Sequence, residues 1–206
     1  MSRLLYIEAS PRKQRSVSIR VAQAFIGAWR QANPDGQVDE LDLWSADLPA
    51  FDQDMLDAKY AVMRGDSPQG TQVAAWNRIE RLADRFKAAD LYLFSVPMWN
   101  FSLPYVLKHY FDLLIQPGIT FAFSPEDGYS GLVTGRRAVL AYARGGAYSE
   151  GTGMEDYDLQ TRLLEQLLGF IGVTEVERIV AEPMLAGKEI AEPALEQALR
   201  RAQQLA

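Results

Sequence analysis

Three short stretches hold residues whose types and spacing suit chemistry on a bound small molecule. Ser10-Pro11-Arg12-Lys13-Gln14-Arg15-Ser16-Val17-Ser18 offers three hydroxyls and three basic side chains where an apolar run gives way to a helical pattern. The first amides of a helix lack internal partners and attract anions, so this stretch can grip a phosphate; plain helix capping is the simpler use of a single serine. It lacks the Gly-x-x-x-x-Gly-Lys spacing of a nucleoside-triphosphate loop. Pro97-Met98-Trp99-Asn100-Phe101-Ser102 sets large apolar side chains around one amide. An amide both donates and accepts, which suits the edge of a flat heterocycle, although a core that merely ends in aromatics would read the same way. Arg144-Gly145-Gly146 allows close backbone approach to a ligand, or an ordinary turn, and alone decides nothing.

Elements must position these stretches, and the periodicities name them. Apolar runs at Leu4–Ile7, Leu91–Val96 and Arg137–Ala143 read as strands, with weaker ones at Gln37–Leu43 and Thr174–Val180. Between them lie helical patterns at Ser16–Gln31, Thr71–Lys87, Leu103–Leu114, Asp156–Gly169 and Ala194–Leu205, and a further short helix is expected near Asp52–Met63. The Gly-, Pro- and Phe-bearing segment 116–135 is expected to be a loop or hairpin. Alternating strands and helices predict one α/β domain over residues 1–206, a parallel sheet covered on both faces. Ligands in such sheets bind beyond the carboxyl ends of the strands, and all three stretches follow strands.

Composition narrows the function. With 48% hydrophobic residues the chain can bury a full core. It has no cysteine, which excludes disulfides, iron–sulfur ligation and thiol catalysis, and one histidine, His109, which excludes a histidine-cluster metal site. No metal is expected. A net charge of −6 argues against nonspecific nucleic-acid binding. No run approaches membrane-span length and no leader pattern opens the chain, so a soluble cytoplasmic protein is expected. A phosphate grip beside a flat, amide-recognising pocket is what flavin mononucleotide (FMN) requires.

The chain resembles the bacterial FMN-dependent NADH:quinone reductases and azoreductases. The resemblance spans essentially its whole length. It is carried by Ser10, Ser16-Val17-Ser18, Pro97 to Phe101, Gly118-Ile119-Thr120-Phe121, Leu132 to Arg136, Ala143-Arg144-Gly145-Gly146 and Leu168 to Gly172. It implies a flavodoxin-like three-layer sandwich whose five parallel strands run in the order 2-1-3-4-5. It implies that Ser10, Ser16, Val17 and Ser18 hold the phosphate and ribityl end of FMN. Pro97, Met98, Trp99, Asn100 and Phe101, with Ala143, Arg144, Gly145 and Gly146, would cradle the ring. Phe123 and Phe170 match positions that line the acceptor pocket. The family works by ping-pong, NADH or NADPH giving two electrons that a quinone or azo compound then takes, and its members are homodimers with active sites at the interface. Two residues depart from the usual pattern: Trp99 replaces a commoner Tyr, and Ala143 replaces Ser. Altered affinity or acceptor range is expected from them, not loss of FMN.

Two other functions compete. A hydrolase of the acyl-carrier-protein phosphodiesterase type would need a base, and His109 sits on the flank of a helical stripe, where a packed or edge histidine is expected. The near-elbow Ala147-Tyr148-Ser149-Glu150-Gly151 has Ala in place of its first glycine. A flavodoxin-like electron carrier would bind FMN but would not need segments 44–72 and 116–135, which are long enough to wall in a small molecule.

Overall fold

The structure, a computed structural model, describes residues 2–206. Its strands are β1 (Arg3–Glu8), β2 (Gln37–Asp42), β3 (Leu91–Pro97), β4 (Phe121–Ser124), β5 (Gly128–Gly131), β6 (Arg137–Ala143) and β7 (Glu175–Ala181). Its helices are α1 (Val17–Ala32), α2 (Gln53–Met63), α3 (Thr71–Lys87), α4 (Tyr105–Leu114), α5 (Leu159–Ile171) and α6 (Lys188–Leu205). Five strands form a parallel sheet in the order β2-β1-β3-β6-β7, and β4 pairs with β5 as a separate antiparallel hairpin. Counting the sheet strands alone, the order is 2-1-3-4-5, the flavodoxin-like arrangement.

Strand residues alternate between two cores, as period-two geometry requires. Leu5 and Ile7 of β1, Tyr92, Phe94 and Val96 of β3, and Ala138, Leu140 and Tyr142 of β6 face α3, α4 and α5. Leu4, Tyr6, Leu93, Val139 and Ala141 face α1 and α6, against Phe25, Ile26, Trp29, Ala198 and Ala202. Burial on both faces explains why β3 and β6 are continuously apolar in sequence. Helix α2 stands outside these layers, with Met55 and Ala58 packed on Trp76 and Ile79 of α3.

Helix boundaries differ from the sequence expectation where caps decide them. Helix α5 starts at Leu159, not Asp156, because the Asp158 carboxylate accepts from Thr161 N; residues 155–157 form a single 3-10 turn. It runs past Gly169 and ends at Gly172, whose φ of 103° makes a left-handed cap. Helix α6 begins six residues before the expected Ala194 and contains Pro193. A proline in the second turn costs one ladder bond near an end that already lacks several, so it does not stop the helix.

Candidate functional site

The carboxyl edges of β1, β3 and β6 lie side by side, and the loops that leave them form one face. Ala9 N donates to Ser95 O (3.1 Å) and Met98 N to Ala143 O (2.9 Å), so the three strands stay in register to the point where their loops begin. The expected residues Ser10, Ser16–Ser18, Pro97–Phe101 and Ala143–Gly146 all lie in these loops or at the ends of the elements that flank them. Proximity follows from β1, β3 and β6 being neighbours in the sheet.

In the β1 loop, Ser10, Ser16 and Ser18 are buried. Ser16 caps α1, but its Oγ accepts from Ile19 N at 3.5 Å, a long bond, and lies 3.1 Å from Ser18 Oγ. Among the described residues the amides of Val17 and Ser18, the first two of α1, have no acceptor. Hydroxyls clustered with free amides at a helix start are a donor set for an oxyanion. The basic neighbours behave differently. Lys13, with φ of 48°, turns back to Glu8 and Asp42, each 2.6 Å away. Partial burial would depress its pKa, yet the Asp42 and Glu8 carboxylates outweigh that and raise it. Lys13 therefore fastens the β1 loop to β2, and of the loop's three cations Arg12 and Arg15 carry no ion pair among the described residues.

The β3 loop is a tight hairpin. Trp99 N donates to Ser102 O (3.0 Å) and Ser102 N to Trp99 O (2.9 Å). Between them Asn100 and Phe101 have φ of 46° and 70°, the two left-handed positions of a type I′ turn. Asn accepts this conformation readily; Phe at positive φ carries a strain of roughly 1–2 kcal/mol. Strain at a loop tip that presents an amide and a ring outward is the signature of a functional turn. Phe101 is 41% exposed and packs edgewise on Tyr148 and tilted against Tyr157, at 6.1 and 5.4 Å between ring centres. Trp99 lies 5.6 Å from Trp44, which follows β2 and donates from its indole to Ala9 O (3.0 Å). Sequence reasoning missed Trp44, Tyr148 and Tyr157. Trp44 was findable, since it also follows a strand's carboxyl end.

The β6 loop is shaped by packing within the chain. Neither Gly145 nor Gly146 has positive φ. A Cβ on Gly145 would meet Leu185 Cδ1 at 2.8 Å, and one on Gly146 would meet the Tyr148 ring at 3.2 Å, so close packing of the chain itself is one reason for these glycines. The Arg144 side chain is buried and points away from the open face, toward α5 and the segment after β7. What Gly145 and Gly146 offer is backbone, and their amides have no acceptor among the described residues.

Phe123 and Phe170 do not join the others within one chain. Phe170 is the penultimate residue of α5, which runs back from the carboxyl edge to the start of β7. Phe123 is on the β4–β5 hairpin, tied to that same amino edge by Val133 N donating to Ile171 O (2.8 Å). A seven-residue strand separates the two edges, roughly 20 Å. With Phe121 and Tyr129 these rings line an apolar groove of about 940 Å³ that also takes in Lys59, Tyr60 and Met63 of α2. The ammonium of Lys59 has its pKa lowered by burial there.

The rival chemistry finds no machinery. His109 Nε2 lies 2.9 Å from Pro49 O and joins α4 to the segment after β2, with no serine partner among the described residues. Among the described residues no three His, Cys, Asp or Glu side chains are grouped to hold a metal. No helix among them is long and apolar enough to cross a membrane.

Comparison with known proteins agrees with this geometry. The model of a family described as having a flavodoxin-like fold matches residues 2–206. An FMN-dependent NADH:quinone oxidoreductase of Nitratidesulfovibrio vulgaris is 51% identical over 187 residues, 91% of this chain and 89% of that protein. FMN-dependent NADH:quinone oxidoreductase 3 of Pseudomonas fluorescens is 42% identical, covering 100% of this chain and 96% of its own. The crystal structure of an azoreductase from Bacillus anthracis superposes with a TM-score of 0.91 at 30% identity, covering 100% of this chain and 98% of that one.

Proposed function

The chain belongs to the flavodoxin-like fold family and, within it, to the FMN-dependent NADH:quinone oxidoreductases; from that premise we propose that it passes two electrons from NADH or NADPH to quinones and azo compounds through a bound FMN. The observation that carries this reading is the shared edge of β1, β3 and β6, where buried hydroxyls, unpartnered amides and a strained aromatic-and-amide turn converge. FMN, when bound, supplies a ring nitrogen that accepts and donates hydride.

The rest of the work is positional. Ser16 and Ser18, with the amides of Val17 and Ser18, hold the phosphate at the start of α1, and Ser10 closes the ribityl end. Met98, Trp99 and Phe101 would wall the ring from the β3 loop, and the Asn100 amide would supply hydrogen bonds to it. The amides of Gly145 and Gly146 favour negative charge on the ring without reorganising. Ala143 offers no hydroxyl here, so that edge relies on backbone donors alone. No general acid is assigned.

The acceptor pocket requires a second copy. Phe123 and Phe170 sit at the opposite edge of the sheet from the cofactor loops, and their groove presents exposed aromatic rings. A homodimer that lays one chain's groove against the other's cofactor loops completes two equivalent sites. The working unit is this single domain, 1–206, twice over, in the cytoplasm. Complementation tests it. A Ser16→Ala/Asn100→Ala chain and a Phe123→Ala/Phe170→Ala chain, each impaired alone, regain activity on mixing, approaching about a quarter of wild-type sites at random exchange. No gain despite demonstrated exchange would overturn the shared site.

The first experiment is an anaerobic titration of the FMN-loaded protein with NADH, following the visible absorbance. Prompt bleaching, reversed by a quinone, is the expected result. FMN binding without bleaching by either nicotinamide would make the protein an electron carrier, and absence of FMN binding would overturn the proposal.

A further inference from the structure

Arg144 stands in the loop expected to cradle the cofactor, yet its side chain is 1% exposed and directed inward. Its guanidinium donates in three directions. Nε bonds Gln160 Oε1 at 2.9 Å, Nη1 bonds Glu182 Oε2 at 3.2 Å, and Nη2 bonds Asp158 Oδ2 at 2.9 Å together with Thr161 Oγ1. Two of these partners reach the candidate cofactor loops. Gln160 Nε2 donates to Val96 O (3.1 Å), one residue before Pro97 and the strained turn. Glu182 accepts from Tyr148 N (3.0 Å) and Ser149 N (2.9 Å), at the far end of the loop that begins with Gly145. The segment after β7 closes over the same loop, with Met184 N on Arg144 O (2.9 Å) and Leu185 N on Gly145 O (3.0 Å).

We propose that Arg144 is a positioning residue: through Gln160 and Glu182 its buried guanidinium fixes the β3 loop and the β6 loop relative to one another, and so sets the slot into which a flat cofactor fits. The inference rests on the FMN reading above for its ligand, but not for its geometry. A planar fork is required, because Nε and Nη2 grip the start of α5 while Nη1 reaches the segment after β7; a lysine ammonium is a point charge that cannot span both. Both carboxylates are largely buried, so the cation also relieves them of desolvation.

Two readouts test this. Arg144→Lys and Glu182→Gln are compared with Leu168→Ala, a core variant remote from the network. Amide hydrogen exchange of the ligand-free protein reads loop order, and FMN dissociation constants read the slot. The expected result is faster exchange at residues 98–102 and 145–149 in both network variants, with FMN affinity falling tenfold or more in Arg144→Lys and about threefold to tenfold in Glu182→Gln. Leu168→Ala lowers thermal stability at least as much while leaving both readouts at wild-type values. Affinity that simply follows melting temperature across all three variants would overturn the proposal, as would unchanged loop exchange in Arg144→Lys. If Arg144→Lys fails to fold, Glu182→Gln decides by the same criteria. Failure of the wild-type protein to bind FMN would remove the cofactor reading, and loop exchange would then decide the positioning role by itself.

Discussion

The two ends of the sheet are built by opposite means. At the carboxyl edge, loops present backbone amides, hydroxyls and one carboxamide, and they are held by polar contacts: half-buried ones from Lys13 to Glu8 and Asp42 and from Trp44 to Ala9, and buried ones from Arg144 to four partners. At the amino edge, the β4–β5 hairpin and the end of α5 present aromatic rings around an apolar groove, and the polar contacts lie behind it at the hairpin's base, where the buried Thr120 hydroxyl donates to Leu114 O (2.8 Å) and the Gln116 amide to Asp112 O (2.7 Å). Polar contacts are directional and specify geometry; apolar faces are forgiving of geometry but must be covered. The first end therefore suits a ligand recognised atom by atom, and the second suits a flat molecule and a neighbouring surface.

Substitutions at each end sharpen the contrast. The largest effect is expected from Gly131→Ala at the amino edge. A Cβ there would meet Gly172 N at 2.2 Å and Ile171 C at 2.3 Å, both backbone, so the hairpin must move. Urea unfolding should show a loss of about 3 kcal/mol, while the folded fraction keeps its FMN affinity. A loss of FMN binding by folded Gly131→Ala protein would erase the distinction between the ends. Ser16→Ala at the carboxyl edge should weaken FMN binding by about 1.5–3 kcal/mol, a charge-assisted bond, or roughly tenfold to a hundredfold in dissociation constant. Its cost in stability should stay under about 1 kcal/mol because the cap bond is long. Unchanged affinity would remove Ser16 from the phosphate site.

Smaller effects concern what holds the edges. Hydrogen bonds from Arg85 hold the Asp39 carboxyl below its ordinary pKa. The unfolded chain then takes up a proton first as the pH falls. The pair's contribution is present above the ordinary carboxylate range and disappears as pH drops through the lowered folded value. Unfolding free energies measured from pH 7 down to 2.5 should decline less steeply below about pH 4 in Asp39→Asn than in wild type. Parallel curves would show that the pair contributes nothing. The smallest change is expected for Phe101→Gly. Relief of left-handed strain and loss of the ring contacts to Tyr148 and Tyr157 offset each other, leaving stability within about 0.5 kcal/mol. FMN affinity should nonetheless fall, since one wall of the slot is gone. Equal affinity would place the ring outside the site.

The sequence by itself determined the layers and the edge at which to look. Period-two and period-3.6 patterns are local consequences of burial, so Thr71–Lys87 and Arg137–Ala143 were legible to the residue. The three loops were legible as well, because each interrupts such a pattern with hydroxyls, an amide or glycines. What only the tertiary structure decided is where side chains turn once the loops have formed. Arg144 reads as a free cation beside two glycines, yet its partners lie at Asp158, Gln160, Thr161 and Glu182, up to 38 positions away. Lys13 reads as a phosphate ligand and is spent on Glu8 and Asp42. Phe123 and Phe170 are tied to an acceptor pocket by resemblance alone, and only the fold shows that within one chain they stand at the other end of the sheet from the cofactor loops. Burial is written along the chain in its periodicity, whereas a charge or a ring takes its meaning from partners that only the folded arrangement brings within reach.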